Sequence, residues 1–406
     1  MKFKNYLLIP ITILIAGAVF YLFGRAKAVT AEVTEELPVE KVWTRMDSLI
    51  HTYEHLISQQ IDSAGTVGAA IVVVHKGEIG LLKCFGVKEI DSNDFIDQHT
   101  IFRLASVSKT LTGTLAFMLS DENLIPLNSR IIDYLPGFRL KDSINTHELR
   151  IDHILSHTSG LVSHAYDNLV EAGVDFGTIM DSLHRVNISA PPGRIYSYQN
   201  VAFSLYDTVA SLATGKSFDS LMEEKIFSPF GMNDASVGLL SFLESDNKAA
   251  PHIGIGLNSR SLGINNRYYN TNPAAGVNAS ISDMAGFISA MLGHKPETLD
   301  SAGIRAILSP KVITPLRWNY LNKWKSVESK HYALGWRIIG SYGKQIAYHG
   351  GYVNGYRAEI ALCPEEDFGL AFLSNSPNAA GSISIPLFLD LYFEGKDGFD
   401  GLDDLK

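Results

Sequence analysis

The sequence predicts an α+β fold, in which an antiparallel β-sheet is flanked by helices and carries a mostly helical second lobe. Strand patterns occur towards both ends of the chain, whereas helical patterns alternate with loops rich in Gly, Pro and Asn in the middle. A further helical pattern lies outside the strands at each end. Sheets and amphipathic helices must each bury an apolar face. One arrangement that buries all of these faces is a single sheet built from both ends of the chain and covered by the end helices. The middle then forms a second lobe, and the cleft between the lobes is the expected ligand site.

The first predicted elements are a helix and a β-hairpin. The helix has one apolar stripe with spacings of three and four residues over about five or six turns. Its main positions are Trp43, Met46, Ile50, Tyr53 and Ile57. An almost wholly apolar run at 67–74, a Gly-containing turn and a second run at 79–86 then predict two paired strands.

The rest of the chain divides into a helical middle and a strand-rich last third. Helical patterns cover residues 111–119, 202–213 and 284–292. Strand patterns separated by turns follow at 334–339, 345–349, 356–363 and 369–374, and residues 383–393 predict a closing helix. The predicted domain therefore runs over 42–394, with an α/β lobe from about 42–105 and 330–394 and a helical lobe from about 106–329.

The N-terminus predicts a leader ahead of this domain. Lys2 and Lys4 precede a run of 17 residues, 7–23, without a charge. That run is longer than the usual core of a signal peptide, about 7–15 residues, and shorter than the ~20 residues that span a bilayer. Residues 1–28 are thus a cleaved signal peptide or, slightly favoured, a retained membrane anchor, and residues 29–41 are a linker. Both alternatives predict an extracytoplasmic domain in the cell envelope or periplasm, with the membrane involved only through this segment. Residues 395–406 form a C-terminal tail.

Charge and cysteine content exclude several classes of function. The net charge of −9 comes without a basic cluster, so the chain does not resemble a nucleic-acid-binding protein. Cys84 and Cys363 lie in predicted strands, which favours buried thiols and leaves a disulfide open. Neither has metal-ligand spacing with a histidine, so we expect no metal and no organic cofactor.

Ser106 and Lys109 are the candidate nucleophile and base. Ser-x-x-Lys also begins at Ser245 and Ser341, so the context has to distinguish the three copies. Ser106 precedes a helical pattern, where backbone N–H groups and the helix dipole favour negative charge. Lys109, three residues later, lies on the same helix face, and burial could lower its pKa enough for it to accept the serine proton. The alternative is a helix N-cap that serves stability alone.

Two further patterns supply candidate partners. Tyr198 and Asn200 follow Pro191-Pro192-Gly193, whose fixed loop could hold a phenol and an amide rigidly, although Tyr196 competes for the same role and a packed loop tyrosine is the alternative. His349 is predicted to end a strand before Gly350-Gly351, where glycine allows a substrate backbone to approach the strand edge. The main-chain N–H of Tyr352 could join that of Ser106 as an oxyanion hole. The alternative for His349 is a partly buried residue that finishes a strand.

These three patterns, in this order, resemble the serine β-lactamase and penicillin-binding-protein superfamily, and most closely its class C β-lactamase and D,D-carboxypeptidase type. Four other segments carry the same resemblance, which extends over about residues 45–393. They are Leu155–Leu161, Phe227–Met232, Ala274–Val277 before Ser282-Asp283, and Leu334–Trp336.

The resemblance implies a role for each candidate. Ser106 corresponds to the acyl-enzyme nucleophile, Lys109 to its base or proton partner and Tyr198 to a second proton relay. Asn200 would contact the substrate amide, Gly351 and Tyr352 would bind substrate at the strand edge, and His349 would give electrostatic or hydrogen-bonding help. The family's lactamases usually have Lys-Thr-Gly where this chain has His349-Gly350-Gly351, which argues against efficient β-lactam hydrolysis, and Gln199 replaces a small residue.

The implied function is hydrolysis of an amide, ester or lactam through an acyl-enzyme. The implied substrates are D-amino-acid peptides, as for D,D-carboxypeptidases and D-aminopeptidases, or β-lactams, and cell-wall peptides are the expected partners. A broad-specificity esterase of the same fold is the enzymatic alternative. A non-hydrolysing cell-wall or penicillin-binding protein is the alternative from another class.

Overall fold

The computed structural model describes residues 45–315, 321–376 and 379–395. The predicted leader, the linker, Trp43 and the tail beyond residue 395 lie outside these ranges. Within them, no helix combines the length and the apolar character that crossing a bilayer requires.

Eight strands form one antiparallel sheet, as the sequence predicts, in the order β2-β1-β13-β12-β11-β10-β9-β8. The sheet therefore joins the N-terminal hairpin to strands from the last third of the chain, with β1 beside β13. A short sheet has the order β3-β7-β4, and β5 pairs with β6. The strands are β1 (Gly68–His75), β2 (Glu78–Gly86), β3 (Phe102–Arg103), β4 (Ser236–Val237), β5 (His252–Ile253), β6 (Arg260–Ser261), β7 (Val277–Ala279), β8 (Val312–Ile313), β9 (Val327–Tyr332), β10 (Arg337–Ser341), β11 (Lys344–Val353), β12 (Tyr356–Cys363) and β13 (Phe368–Ser374).

Helices cover both faces of the large sheet. The first and last helices pack together on one face, where the Tyr53 hydroxyl donates to the Ser384 carbonyl oxygen at 3.0 Å. The helices between them belong to the middle of the chain, and one of these, residues 281–291, packs on β1 and β13 from the other face. The helices are α1 (Arg45–Ser63), α2 (Ser108–Asp121), α3 (Ile131–Tyr134), α4 (Ser143–Glu148), α5 (Ile151–Leu155), α6 (Asp167–Glu171), α7 (Phe176–Asp181), α8 (Asn200–Thr214), α9 (Phe218–Met222), α10 (Ser228–Phe230), α11 (Leu239–Glu244), α12 (Asn272–Ala275), α13 (Ile281–Met291), α14 (Ser301–Leu308) and α15 (Ala379–Glu394).

The continuous apolar run of β1 is explained by these two covered faces. Successive side chains of a strand point to opposite faces, so a strand covered on both sides has no polar face. Val72 and Val74 belong to the core beneath the middle of the chain, whereas Ile71 and Val73 belong to the core beneath α1 and α15.

The same alternation separates the two cysteines. Cys84 on β2 packs against the core beneath the middle of the chain, and Cys363 on β12 is buried in the core beneath the terminal helices. Strands β1 and β13 lie between β2 and β12. Both thiols are therefore free, and the disulfide that the sequence left open does not form in this fold.

Two predicted strand boundaries differ from those observed. The strand predicted at 334–339 begins at Arg337, because Leu334–Trp336 form a turn that approaches α2 closely. Gly335 has a φ of 74°, and a Cβ atom there would lie 2.0 Å from the Lys109 carbonyl oxygen. The strand predicted to end at His349 continues to Val353, so His349 lies inside β11 and not at its end. Strands β8, at 312–313, and β9, at 327–332, also join the sheet. The sheet therefore includes residues before position 330, where the sequence predicts the helical lobe.

Candidate active site

Ser106 lies in a single 3-10 turn, Ala105–Val107, which leads into α2. Ala105 has a φ of 48°, a left-handed conformation that costs a residue with a Cβ atom about 1–3 kcal/mol and that often marks functional sites. The residue at the N-cap position of α2 is Val107, without a side-chain cap bond. Ser106 is therefore not the helix cap, and its hydroxyl is available for other contacts.

Lys109 extends along the first turn of α2 and is completely buried. Its Nζ donates to Asn200 Oδ1 at 2.8 Å and to the Ala274 carbonyl oxygen at 2.9 Å, and it lies 3.3 Å from Ser106 Oγ. Burial holds the pKa of Lys109 well below its ordinary value, while Asp167 raises it and Arg337 lowers it further. A neutral amine has two hydrogens and one lone pair. The two acceptors take the hydrogens, so the lone pair of a neutral Lys109 faces the serine hydroxyl.

Tyr198 approaches Ser106 from the helical side of the site. Its hydroxyl donates to Ser106 Oγ at 2.9 Å, and its ring lies 4.7 Å from Lys109 Nζ and 4.2 Å from the His157 ring. Burial raises the pKa of Tyr198, although Arg337 and the bond to Ser106 oppose this shift. Tyr198 is therefore a protonated phenol at neutral pH, suited to donating a proton to an atom beside Ser106.

The loop before Tyr198 is fixed by backbone hydrogen bonds, as its Pro-Pro-Gly sequence predicts. Gly193 N donates to the Thr158 carbonyl oxygen, and Ser197 N donates to that of His157, each at 2.7 Å. The competing tyrosine, Tyr196, points elsewhere, since its hydroxyl accepts from Arg337 at 3.1 Å. The fully buried Gln199 donates through Nε2 to the Val162 carbonyl oxygen, so this departure from the family pattern ties the loop together.

Asn200 begins α8 and joins the Lys109 amine to a carboxylate. Its Oδ1 accepts from Lys109, and its Nδ2 donates to Asp167 Oδ2 at 3.0 Å. The predicted contact of Asn200 with a substrate amide remains a prediction, and the structure adds a contact with Lys109.

His349 is fully buried beneath the strand edge. Its Nδ1 lies 2.9 Å from the Gly350 carbonyl oxygen, and its Nε2 lies 3.1 Å from the Tyr332 hydroxyl. Because a carbonyl oxygen only accepts, Nδ1 donates there and Nε2 accepts from Tyr332. Burial, followed by Arg337 and Lys109, holds the pKa of His349 well below its ordinary value. A neutral imidazole carries no positive charge, so the geometry favours the hydrogen-bonding form of its predicted role over the electrostatic one.

Gly351 lies on a stretch of β11 that is paired on one side. Strand β10 pairs with β11 from Lys344 as far as Tyr348, whereas β12 continues along it to Val353. The stretch after Tyr348 approaches the turn that bears Ser106. A Cβ atom on Gly351 would lie 2.3 Å from the Leu104 carbonyl oxygen and 3.1 Å from Ser106 N. The backbone of Ser106 and the open edge next to Tyr352 therefore meet, as an oxyanion hole requires.

Gly351→Ala is expected to lower the rate at which a reactive probe labels Ser106 by about 10²-fold, because a displacement near 1 Å of the reacting groups has that effect. The new methyl group must push the serine turn away from β11. The measurement is the rate of labelling by a fluorophosphonate. Gly137→Ala is the control, since Gly137 has open space around its Cβ position. A Gly351→Ala protein that labels at the wild-type rate would contradict the close approach.

Three groups around the site, two buried and one partly buried, were not predicted as site residues. The His157 ring packs against the Tyr198 ring at a tilt of 41°, and its Nδ1 accepts from Gln199 N at 3.2 Å. Arg337 lies 5.5 Å from the Tyr198 ring. The third is Asp167, bonded to Asn200. His157 belongs to the segment Leu155–Leu161 and Arg337 follows Leu334–Trp336, so proximity to family-like segments could have indicated both. Asp167 carries no such signal.

The known proteins that this chain resembles agree with this fold. Residues 53–385 match the family model described as Beta-lactamase. Among solved structures, the octameric penicillin-binding protein homologue from Pyrococcus abyssi superposes with a TM-score of 0.73 at 20% identity, covering 86% of this chain and 78% of that one. The crystal structure of SurE gives a TM-score of 0.69 at 19% identity, with coverage of 87% and 78%.

Two curated relatives match this chain over only part of their own length. Unguisins hydrolase ungD' of Aspergillus campestris is 27% identical over 366 residues, which are 85% of this chain and 65% of that protein. Penicillin-binding protein 4 of Amycolatopsis lactamdurans is 28% identical over 41% of this chain and 44% of its own length. This chain thus spans less than two thirds of either relative. The family model covers most of the chain, so the chain belongs to the beta-lactamase family.

Proposed function

We propose that this chain is a serine hydrolase that forms an acyl-enzyme at Ser106 and acts on D-amino-acid peptides, in the manner of D,D-carboxypeptidases or D-aminopeptidases, or on β-lactams. The observation that carries the proposal is the position of Ser106 Oγ, 3.3 Å from Lys109 Nζ and 2.9 Å from the Tyr198 hydroxyl. Burial lowers the pKa of the amine and raises that of the phenol. One neighbour is therefore suited to accept a proton and the other to donate one.

The first step is acylation. Ser106 Oγ attacks the substrate carbonyl carbon while its proton moves to the lone pair of Lys109. The negative charge that develops on the carbonyl oxygen is stabilised by the backbone N–H groups of Ser106 and Tyr352. When the intermediate collapses, the bond to the leaving group breaks, and the leaving atom takes the proton of Tyr198. The Lys109 ammonium returns a proton to the phenolate, so both groups regain their starting states.

Deacylation runs through the same groups with water as the nucleophile. Water attacks the acyl carbon while one of its protons moves to the lone pair of Lys109, and Ser106 Oγ leaves with the proton of Tyr198. The Lys109 ammonium then returns a proton to the phenolate. The open edge of β11 favours a peptide substrate, because an extended backbone can lie along unpaired strand groups. One relative is named a hydrolase and another a penicillin-binding protein, and these names support hydrolysis and a penicillin-like ligand.

An esterase is the second candidate. The residues that adjoin the site in sequence include three exposed apolar side chains, Val162, Ile195 and Tyr352. An apolar rim favours a hydrophobic acyl group over a charged peptide. His349 in place of the lysine of the family's lactamases also lowers the expectation of efficient β-lactam hydrolysis.

The test compares turnover of several substrates and identifies the residue that carries the covalent adduct, with the same protein preparation. The protein is incubated with a fluorophosphonate, benzylpenicillin, a D-Ala-D-Ala peptide and p-nitrophenyl esters, and the mass of the adduct and its peptide are determined. We expect a covalent adduct on Ser106 and turnover of the D-Ala-D-Ala peptide. Turnover of esters alone would favour the esterase, and an adduct without turnover would favour a binding protein. No adduct on Ser106 with any probe would overturn the proposal.

Tyr198→Phe separates the proton-donating role of the phenol from a structural one. Loss of a positioned acid is expected to lower amide hydrolysis by about 10²-fold. Acylation by p-nitrophenyl esters should change little, because p-nitrophenolate leaves without a proton. Tyr196→Phe is the matched control, since that hydroxyl binds Arg337. Equal losses in the acylation rates for amides and for esters would show that Tyr198 acts through packing instead.

A further inference from the structure

We infer that Asp167 is a positioning residue for the Lys109–Asn200 pair, and this inference rests on the proposed function of Ser106 and Lys109. Asp167 begins the short helix α6, 33 residues before Asn200 in the sequence. Within the part of the chain that the structure describes, Asp167 makes no direct contact with Ser106 or Lys109. Its influence passes through the amide of Asn200 and through its charge.

The hydrogen bonds of Asn200 depend on which way its amide faces. Asp167 Oδ2 accepts from Asn200 Nδ2 at 3.0 Å, while Asn200 Oδ1 accepts from Lys109 Nζ at 2.8 Å. A carboxylate can only accept, so its presence holds the NH2 group of the amide on that side. The amide oxygen must then face the lysine. Without the carboxylate, a flipped amide would present hydrogens to the amine and remove one of its two acceptors.

The position of Asp167 is fixed by a strained loop tied to the catalytic tyrosine. His164 and Tyr166 both have left-handed φ values, 58° and 64°. His164 N donates to the Tyr198 carbonyl oxygen at 2.8 Å, and His164 Nδ1 lies 2.8 Å from Asp167 Oδ2. Strained non-glycine residues persist where the surrounding contacts require them, and they concentrate at functional sites. The loop thus links the carboxylate to the backbone of Tyr198.

The charge of Asp167 also acts on the Lys109 amine. The other ionisable groups around the amine are Arg337, Tyr198, His157 and His349, and burial keeps both imidazoles neutral by lowering their pKa values. Asp167 is therefore the group that opposes burial and raises the pKa of Lys109.

On its own outer side, Asp167 faces the half-exposed His164 and the Tyr268 hydroxyl, which donates to Glu171 at 3.1 Å. The Asp167 side chain is 17% exposed, so its charge is only partly screened.

The experiment separates the charge of Asp167 from its hydrogen bond. Asp167→Asn removes the charge and keeps a side chain that can hydrogen-bond the Asn200 amide, although it can donate as well as accept. Asp167→Ala removes both the charge and the hydrogen bond. The readout is the pH dependence of Ser106 labelling by a fluorophosphonate, in which Ser106 Oγ bonds to phosphorus and fluoride leaves. Removing the charge lowers the pKa of Lys109, so the amine stays neutral to lower pH and the acid limb of the profile moves to lower pH. The plateau should fall about 10-fold in Asp167→Asn, since a weaker base transfers protons less well.

Asp167→Ala should show the same displaced limb and a larger loss, about 10²-fold at the plateau, because the amide of Asn200 is also free to flip. Glu171→Gln is the matched control, a carboxylate four residues later on the same helix, and its acid limb should stay at the wild-type position. Acid limbs that stay at the wild-type pH in both Asp167 variants would overturn the inference. A wild-type protein that is not labelled at any pH would instead overturn the proposed function.

Discussion

Ser106→Ala is expected to lower hydrolysis and covalent labelling by about 10⁴-fold or more, because removing the nucleophile of a serine hydrolase removes the acyl-enzyme route itself. The fold should survive. The change leaves the Tyr198 hydroxyl without its acceptor, and such a loss costs about 1–3 kcal/mol in a buried site. The measurements are adduct formation by intact mass, turnover of the best substrate and the midpoint of thermal unfolding.

Ser245→Ala is a matched control for this prediction, since Ser245 begins another Ser-x-x-Lys pattern. Its Oγ accepts from Asn247 N at 3.2 Å, and its carbonyl oxygen accepts from Lys248. We expect full activity in this variant. A Ser106→Ala protein that keeps turning over substrate would show that another group is the nucleophile, and the whole assignment would fail with it.

Lys109→Met is expected to lower acylation by about 10²-fold or more, the usual contribution of a positioned proton acceptor. Methionine keeps the length of the side chain and removes the amine. The variant should also lose the acid limb of its pH profile, because the group whose deprotonation produces that limb is absent. The measurement is the labelling rate of Ser106 as a function of pH, from about pH 5 to pH 9.

The stability of Lys109→Met gives an independent check on the charge of the amine. Burying a charged ammonium without a direct ion pair costs far more than burying a neutral amine or a thioether. The variant leaves Asn200 Oδ1 and the Ala274 carbonyl oxygen without their donor. Because burial lowers the pKa of Lys109 in the folded protein, the stability of the wild type should fall as the pH is lowered from the ordinary lysine pKa of about 10.4 towards the folded value, and level off below it. Lys109→Met should lack this dependence. Identical profiles of stability and of acylation against pH in the two proteins would contradict the neutral-amine assignment.

Local patterns predicted the elements of this protein well because they depend on near neighbours. The continuous apolar run of β1 and the helical repeat of α1 indicate which residues are buried, and that information lies in the sequence itself. The proximity of Ser106 and Lys109 is of the same kind, since residues three apart share a helix face. The boundaries at Leu334–Trp336 and after His349 were wrong because the first depends on contact with α2 and the second on pairing of β11 with β12.

The choice among repeated patterns also needed the fold. Tyr-x-Asn occurs five times in the sequence, and Tyr196 lies two residues before Tyr198 on the same loop, so the sequence leaves the partner of Ser106 open. The loop from Pro191 to Gln199 packs on the segment from His157 to Val162, and that packing turns one ring to the serine and the other to Arg337.

The sequence by itself determined the order of the elements, the α+β class and the family resemblance, and it identified the serine and lysine whose spacing places them on one helix face. The tertiary structure alone decided that the two cysteines occupy opposite faces of the sheet, that Tyr198 and not Tyr196 reaches Ser106, and that Asp167 accepts a hydrogen bond from Asn200. Local spacing follows from backbone geometry, which every residue carries. The approach of Tyr198 to a serine 92 residues earlier, and the pKa values that burial gives to both partners of that serine, arise only when distant apolar faces pack together.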